Sequence, residues 1–358
     1  MTVKPKIAVI CFFKASAGGH GSAEVTLSLY KSLNINKRLF EYKESNIKKN
    51  FLFNNISKFC YLFFVFFELM KFFRGSTKNI IYIEGASWVG YSYILLVLIK
   101  FLLKKSIVVY HAHNVEYDIR LKKNNFFIAL LTKYFEKYVY LKSDIATAVS
   151  KIDQKRIKKL YNLHCQIFRN GIHSSRLKVS KINNLPKQYY LYSGSYLYNP
   201  NKVAIDNLVE KIHLLLIKKY PNLHLIITGK GLPKEIYEKK NILYYKNLDK
   251  KKLNYVITKA KFLLLPLKKA PGTKLKIIES LILGTQIITT KNGINGIEII
   301  NKNQPYIYKN NKQMINYIKI ILKKRNYNKK LLNITSKFYQ SLFSMESIVK
   351  KFSTNYTK

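Results

Sequence analysis

Short apolar runs alternate with amphipathic stretches along the whole chain. The runs suit strands buried on both faces, and they lie at 6–13, 79–84, 106–111, 145–149, 166–168, 189–193, 223–228, 242–245, 262–266 and 286–290. Apolar residues at helical spacing predict helices at 22–33, 51–73, 88–103, 125–141, 153–161, 202–218, 250–258, 273–283, 311–323 and 328–339, with another from Met345. Strands that alternate with helices in this way predict an α/β protein with parallel sheets.

A polar, lysine-rich stretch divides this pattern into two α/β halves. The chain of 358 residues is long enough for two domains with substantial cores. We therefore predict an N-terminal Rossmann-like domain over 1–172, a linker over 173–187 and a second Rossmann-like domain over 188–340. A C-terminal helix is predicted over 341–358, with a return to the first domain as one option.

The chain is strongly basic. Lys and Arg number 64 against 18 Asp and Glu, which gives a formal charge of +46, and the lysines are spread evenly. Genome-wide codon bias and attraction to nucleotides, phospholipid headgroups or nucleic acid are compatible explanations. Without a helix-turn-helix, an RNP motif or a concentrated basic arm, nucleic acid is the disfavoured partner. Cys11, Cys60 and Cys165 lie far apart, which argues against disulfides and indicates a reducing compartment.

Aromatic residues crowd the predicted helix at 51–73. Lys58, Glu68 and Lys71 interrupt it, which argues against a membrane span. The helix either packs in the core or lays an aromatic face on a membrane surface. Both interpretations remain open.

The candidate chemistry centres on residues 262–296, which predict a strand, a turn at Pro271-Gly272, a helix, a second strand and a glycine loop. Lys274 and Lys276 are predicted in the first turn of the helix, where basic side chains oppose the helix dipole. They suit a site where an anion meets the free N–H groups of the helix start. Glu279 either accepts hydrogen bonds from ribose hydroxyls or forms a solvated surface pair with Lys276.

Other candidate ligand residues follow predicted strands, at the edge where open α/β sheets bind ligands. His113 is either a substrate contact or an ordinary loop histidine, and an H-x-H pair with one acid at Glu116 is an incomplete metal site. Glycine permits close approach of backbone to a ligand. Glycine-containing loops of this kind hold Gly18, Gly19, Gly194, Ser195, Gly229, Gly272 and Thr273.

Several of these motifs occur in the order found in one enzyme family. They are Gly18-Gly19, the HNVE at 113–116, Ala148-Val149-Ser150, Asn170-Gly171, Gly194-Ser195 with Asn199-Pro200-Asn201, the TGKG at 228–231, and the GTKLKIIE at 272–279 followed by Gly284 and the loop 289–296. In these motifs the chain resembles the retaining glycosyltransferases of glycosyltransferase family 4. The resemblance implies a GT-B fold, in which two Rossmann-like domains face each other across a cleft.

The resemblance also implies an activity. It is the transfer of a sugar, with retention, from a nucleotide diphosphate sugar to a hydroxyl of a glycan or lipid-linked acceptor, in envelope polysaccharide or lipopolysaccharide synthesis. Lys274 and Lys276 would stabilise the leaving diphosphate, so neither a metal nor another cofactor is required. Glu279 would bind the ribose and His113 would lie near the donor sugar. The nucleotide-sugar contacts would come from Gly18, Gly19, Gly194, Ser195, Gly229, Gly272 and Thr273.

Pro271 departs from the family pattern, because a glutamate associated with the donor sugar is frequent at this position. Backbone N–H groups around Gly272 and Thr273 could replace part of that contact. The alternatives to a transferase are a sugar-nucleotide epimerase on the same fold and a non-enzymatic basic protein that binds membrane or nucleic acid. The expected location is cytoplasmic, with an anionic inner membrane face as a further partner.

Overall fold

Two compact units make up the chain in a computed structural model, which describes residues 5–16, 21–43, 51–76, 78–122, 126–267, 273–299, 305–323 and 329–357. The first unit comprises Met1–His173 together with Met345–Lys358, and the second comprises Ser174–Ser344. Each unit has its own parallel sheet. The prediction of two Rossmann-like α/β domains is therefore confirmed.

The first unit is built on six parallel strands in the order β2-β1-β3-β4-β5-β6. The strands are β1 (Lys6–Cys11), β2 (Asn36–Glu41), β3 (Asn79–Gly85), β4 (Ser106–Ala112), β5 (Ile145–Ala148) and β6 (Gln166–Ile167). The helices are α1 (Gly21–Ser32), α2 (Phe51–Phe73), α3 (Val89–Leu102), α4 (Glu116–Leu121), α5 (Phe126–Lys142) and α6 (Lys151–Tyr161). Strands β1, β3 and β4 are almost wholly buried, as their unbroken apolar runs predict.

Strand β2 is an element that the pattern of apolar residues does not reveal. Its sequence, NKRLFE, buries only Phe40 fully, because β2 lies at the edge of the sheet. Edge strands tolerate polar side chains on the exposed side. The short strand at 306–308 in the second unit was missed for a related reason, since three residues are too few to show a period.

The second unit repeats the design with the strand order β12-β11-β10-β7-β8-β9. The strands are β7 (Tyr189–Ser193), β8 (His224–Thr228), β9 (Ile242–Tyr245), β10 (Leu263–Leu265), β11 (Ile287–Thr290) and β12 (Tyr306–Tyr308). The helices are α7 (Asn199–Asn207), α8 (Leu214–Lys219), α9 (Lys234–Tyr237), α10 (Lys250–Lys259), α11 (Leu275–Ile282), α12 (Asn311–Lys323) and α13 (Lys329–Phe343). A π-helical turn, Leu208–His213, joins α7 to α8.

A last helix, α14 (Met345–Thr357), belongs to the first unit. The Met345 N–H donates to the Ile172 carbonyl at 3.1 Å. The rings of Phe168 and Phe352 meet edge-on with centroids 4.8 Å apart. Within the predicted linker, Ser174–Leu177 forms a short 3-10 helix, and the Asn254 side chain donates to backbone carbonyls beside it.

The order of strands in the second unit determines which loops meet. Strand β7 lies between β8 and β10, and the three strands are parallel. Their carboxyl ends, and the turns that follow them, therefore lie side by side at one edge of the sheet. Gly194 follows β7, Gly229 follows β8, and α11 follows β10 after the segment 268–272, which lies outside the described residues.

Candidate functional site

Lys276 lies in the first turn of α11 and points towards the end of β7. Its Nζ donates to the Ser193 carbonyl at 2.8 Å and to Oδ1 of Asn201 at 3.1 Å. The same nitrogen lies 5.1 Å from the centroid of the Tyr192 ring. Within the described part of the chain, no hydrogen bond or ion pair of Lys276 involves a carboxylate. Burial, together with the charge of Lys274, lowers the pKa of Lys276 to about 7.

Lys274 directly precedes α11, because the helix begins at Leu275. The expectation that both lysines lie inside the first turn was therefore wrong for Lys274, which occupies the N-cap position. Its extended backbone matches an N-cap residue, although its side chain does not cap the helix. Burial lowers the pKa of Lys274 to about 8. The two ammonium groups repel each other and are poorly solvated, so a bound anion would stabilise both.

Asn201 connects Lys276 to the first glycine loop. Its Oδ1 accepts from the Tyr192 hydroxyl at 3.0 Å as well as from Lys276, and its Nδ2 donates to the Ser195 carbonyl at 2.9 Å. A Cβ atom at Gly194 would lie 2.7 Å from that Nδ2 and 3.0 Å from Nζ of Lys276. The glycine therefore makes room for the lysine. Although the sequence resemblance included Asn201, its link to Lys276 was not predicted.

The second glycine loop presses against the first. Gly229 has a φ of +136°, and a Cβ atom there would lie 2.4 Å from the Gly194 carbonyl oxygen. The Gly194 N–H donates to the Thr228 carbonyl at 2.8 Å, and Tyr196 N–H donates to the Lys230 carbonyl at 2.8 Å. The Ser195 hydroxyl donates to the Lys230 carbonyl at 3.3 Å. Two of the predicted glycines and Ser195 thus form one backbone surface next to Lys276.

Glu279 is buried, one turn beyond Lys276 in α11. Its Oε1 accepts two hydrogen bonds from Arg176, at 2.8 and 3.0 Å, and its Oε2 accepts one from Lys250 at 2.6 Å. Although burial alone would raise the pKa of Glu279, Lys250 and Arg176 hold it below its usual range. The alternative of a solvated pair with Lys276 was therefore wrong. The ribose contact stays a prediction.

A separate polar cluster surrounds Glu84 in the first unit. The Glu84 carboxylate is fully buried and accepts from the Thr26 hydroxyl at 2.7 Å. Nδ1 of His111 lies 3.1 Å from one carboxylate oxygen, and Nε2 of His113 lies 2.8 Å from the other. Burial would raise the pKa of Glu84, but the histidines lower it well below the usual range. An ionised carboxylate only accepts, so both ring nitrogens that face it carry hydrogens.

Among the described residues, Glu84, His111 and His113 form a group that could hold a metal ion. One ligand atom from each lies within 4.8 Å of the others, and all three side chains are buried. Two imidazoles and a carboxylate suit zinc or another transition metal. The sequence supplied the two histidines but suggested Glu116 as the acid. The carboxylate beside them comes instead from Glu84, at the end of the neighbouring strand β3.

Glu116 belongs to a second buried network, which holds the start of α4. Its side chain pairs with Arg120 at 3.2 Å, and its N–H donates to Oε1 of Glu136 at 2.8 Å. Oε2 of Glu136 accepts from the Tyr117 N–H at 3.2 Å and from the Tyr161 hydroxyl at 2.5 Å. Burial raises the pKa of Glu136 to about 7. The sequence analysis missed Glu136, although its place on the apolar face of α5 was a usable signal.

The remaining predicted site residues divide into two groups. Gly18, Gly19 and Gly272, together with Pro271, lie outside the described residues. Thr273 is half-buried and precedes Lys274. The structure thus brings together Lys276, Gly194, Ser195, Gly229 and the residues flanking α11 in the second unit, and it places His113 with Glu84 in the first.

Comparisons with known proteins match part of the chain to a family model and nearly all of it to solved structures. Residues 187–324 match the family model described as "Glycosyl transferases group 1", while no curated protein matches the chain by sequence. Among solved structures, the sucrose-phosphate synthase of Thermosynechococcus elongatus aligns over 99% of this chain and 98% of its own, with 15% identity and a TM-score of 0.70.

Two further solved structures align over nearly the full length of the chain. HepE of Anabaena, in complex with UDP and glucose, covers 98% of this chain and 99% of its own, at 11% identity and a TM-score of 0.65. The trehalose-6-phosphate synthase OtsA covers 99% of both chains, at 9% identity and a TM-score of 0.68. At such identities the likeness shows the fold, which is the two-unit GT-B architecture expected from the sequence.

Proposed function

We propose that the protein is a glycosyltransferase that moves a sugar from a nucleoside diphosphate sugar to a hydroxyl group. The observation that carries the proposal is the position of Lys274 and Lys276. Two lysines with lowered pKa values lie at the start of α11, beside the loops of Gly194 and Gly229. They do so inside the segment that matches the glycosyl transferases group 1 model.

The chemistry of the leaving group explains why cations are needed there. When the bond between the sugar and the diphosphate breaks, negative charge develops on the departing oxygen. A fixed ammonium group stabilises that charge without reorganisation, and its effect is strong because the site is poorly solvated. The free N–H groups at the start of α11 add to the positive potential. We infer that the ammonium groups and the N–H groups at the start of α11 take the place of a metal ion in stabilising the leaving diphosphate.

The nucleoside end of the donor is assigned to Glu279 and the glycine loops. Glu279 lies one turn from Lys276, which is a suitable separation for a ribose next to a diphosphate. Arg176 and Lys250 keep its carboxylate ionised, and a carboxylate oxygen has capacity for a further hydrogen bond. HepE of Anabaena was solved with UDP, so UDP is the first nucleotide to try.

His113 is proposed to contact the donor sugar. When the ring of His113 is neutral, donation from its Nε2–H to Glu84 leaves Nδ1 as the acceptor nitrogen. An acceptor of this kind suits a sugar hydroxyl. Retention at the anomeric carbon, a glycan or lipid-linked acceptor, and a role in envelope polysaccharide or lipopolysaccharide synthesis complete the proposal. They are supported by the motif resemblance described above.

A panel of nucleoside diphosphate sugars, incubated with the purified protein and analysed by mass spectrometry, tests the proposal. Slow hydrolysis of one donor, lost in Lys276→Ala but kept in Lys259→Ala, is expected. Lys259 is a matched control because it lies at the end of α10 and contacts the Tyr255 ring, outside the site. Conversion of a donor sugar to its epimer, without hydrolysis or transfer, would instead identify an epimerase.

The stereochemical part needs a separate measurement. NMR of the first-formed product gives the anomeric configuration, and the configuration of the donor is expected to be kept. Thermal protection by RNA, with no protection by any nucleoside diphosphate, would contradict the enzyme assignment as a whole. It would favour the non-enzymatic basic protein.

A further inference from the structure

Three helices of the first unit form one layer against the sheet, and we call α2, α3 and α5 the outer helix layer. Helix α3 contacts α2 on one side and α5 on the other. Their inward sides are apolar and join the main core cluster, as shown by Leu62, Leu95 and Val139. Ordinary surface helices would be polar on the opposite side. The outer helix layer departs from this rule on both of its long helices.

The outward face of α5 is apolar. Phe127 is 84% exposed, Tyr134 is 62% exposed, and Leu130 and Leu131 are each 45% exposed. Residues three and four positions apart share one face of a helix, so these side chains form a continuous stripe. The buried face of α5 carries Ala129, Thr132, Glu136, Val139 and Tyr140. Large apolar side chains of this helix thus face solvent as well as the core.

Helix α2 shows the same arrangement. Phe63, Phe64 and Phe67 are 49%, 59% and 56% exposed, and Ile56 lies in line with them at 53%. Phe66 is buried, at 4%, and packs in the core. The core interpretation of this helix therefore holds for its inward face, while the membrane interpretation of its exposed aromatic face stays a prediction. Phe101, 70% exposed, adds an aromatic ring at the end of α3.

The charges on these three helices are nearly all positive. Two acidic residues lie on them: Glu136 is fully buried, while Glu68 pairs with Lys71 and with Arg38. Lys100 pairs with Asp144, which lies outside the three helices. The basic residues of the three helices are Lys58, Lys71, Lys100, Lys133, Lys137 and Lys142. Exposed aromatic rings flanked by lysines suit a surface in which an apolar layer lies beneath a layer of anionic groups.

We infer that the outer helix layer docks on an anionic lipid bilayer, with its phenylalanines at the level of the headgroups. Charge complementarity favours this occupant over a second copy of the chain, because two such basic faces repel each other. No helix within the described ranges has the length and apolar character to cross a membrane. Binding through this layer is accordingly interfacial and depends on salt.

The exposed thiol of Cys60 provides a labelling site with which this inference can be tested. Cys60 is exposed on α2, whereas Cys11 and Cys165 are buried. Cys60 lies four positions from Ile56 and from Phe64, on the outward side of the helix. A thiol-reactive, environment-sensitive fluorophore will therefore label Cys60 selectively. Vesicles of phosphatidylcholine with about one third phosphatidylglycerol are expected to shift its emission to the blue, and vesicles of phosphatidylcholine alone are not.

Co-sedimentation with the same vesicles measures the partition coefficient of unlabelled protein. Phe127→Ser with Leu131→Ser is expected to lower it by about tenfold or more, because two apolar anchors are lost. Lys137→Gln with Lys142→Gln is expected to lower it by a similar factor on anionic vesicles. The matched control is Leu214→Ser with Leu215→Ser, which changes two leucines of the second unit that are 47% and 54% exposed. This control should bind like the wild type.

Several results would overturn the inference. One is an absence of binding to anionic vesicles at low salt, and another is binding that leaves the Cys60 label in water. A third is a dimer in analytical ultracentrifugation that Phe127→Ser with Leu131→Ser dissociates, because the occupant would then be a second copy. The circular dichroism melting curve of each variant controls for folding. These assays contain no nucleotide sugar, so their failure is separate from a failure of the transferase proposal.

Discussion

Nε2 of His113 lies 2.8 Å from Oε2 of Glu84, although 29 residues separate them in the sequence. Both side chains are buried at the carboxyl ends of adjacent parallel strands. His111 occupies the other oxygen of the same carboxylate. In the neutral form of each imidazole, the ionised glutamate thereby determines which nitrogen carries the hydrogen.

Replacing this glutamate should therefore act through His113. The two rings face different oxygens of Glu84, and in Glu84→Gln one of these oxygens becomes an NH2 group, so one ring meets a donor in place of an acceptor. We expect the turnover number to fall on the order of 100-fold, while the affinity for nucleoside diphosphate, which is proposed to bind at Lys274 and Lys276, stays unchanged. Nitrogen-15 NMR of the histidine rings should report an altered tautomer. An unaltered spectrum together with reduced turnover would contradict the positioning role.

The two lysines of the proposed diphosphate site should differ in their importance. Lys276→Ala should lower turnover on the order of 100-fold or more, because the ammonium group acts mainly when the leaving diphosphate forms. Lys274→Ala should have a similar or smaller effect, since Lys274 precedes the helix rather than lying in it. Steady-state kinetics with the donor identified by the panel gives both values. Full turnover in Lys276→Ala would remove this residue from the mechanism.

Binding of a nucleoside diphosphate should draw protons into the protein above neutral pH. In the free protein the pKa of Lys276 is about 7 and that of Lys274 about 8, because both partly buried side chains are poorly solvated and Lys276 also feels the charge of Lys274. A bound diphosphate favours the charged forms and raises both pKa values. At about pH 8.5 the free lysines are mostly neutral, so binding takes up protons. Calorimetry in buffers of different ionisation enthalpy measures that number, which should fall in Lys276→Met.

Glu279→Gln should affect both binding and stability. The variant leaves Arg176 and Lys250 beside a neutral amide in a buried position, and one partner of a buried ion pair is costly to remove. We expect the free energy of unfolding in urea to fall by roughly 1–3 kcal/mol. Nucleoside diphosphate binding should weaken as well. An unchanged dissociation constant in a folded Glu279→Gln protein would limit the residue to a structural role.

The stability change of Glu279→Gln has an internal control. In the double variant Arg176→Gln with Glu279→Gln, fewer uncompensated charges remain than in the single variant. The double variant is therefore expected to recover part of the lost stability. A strictly additive loss would mean that the two side chains do not interact energetically, despite their 2.8 Å contact.

The buried Glu136 is expected to change the folding stability with pH in the direction opposite to that of an ordinary surface carboxylate. Its pKa is raised to about 7 in the folded protein from an ordinary value of 4.5. The folded state therefore holds one proton more than the unfolded state between these values, and stability falls as pH rises from about 4.5 to 7. Thermal melting of Glu136→Gln against wild type should show this slope removed. Equal slopes for the two proteins would contradict the raised pKa.

Much of the fold could be predicted because both sheets are parallel and buried on two faces. The apolar runs of β3 and β4, and the full extent of α2 from Phe51 to Phe73, are visible in the sequence. Strand β2 is not, because an edge strand needs only one buried side chain to hold its place. The local pattern of apolar residues thus predicts the central strands and helices. It misses an edge strand such as β2, which is stabilised by one neighbouring strand.

The partners within the candidate site were not predictable in the same way. Lys276, Glu279 and His113 were identified because their types and positions fit a motif. Their contacts with Asn201, Arg176 and Glu84 depend on which strands lie side by side, and the Arg176–Glu279 pair joins residues 103 positions apart. A linear pattern carries no information about such pairs. The same limit explains why the sequence did not reveal Glu84 as the acid beside the histidines.

Because α14 completes the first unit, that unit consists of two segments that are separated by the whole of the second. On a ribosome, Ser174–Ser344 has been synthesised before Met345 appears. The second unit therefore has every residue it needs while the first still lacks the helix that α1 packs against. Domains generally fold as units while the chain is being made. Here the amino-terminal unit is expected to finish folding after the one that follows it.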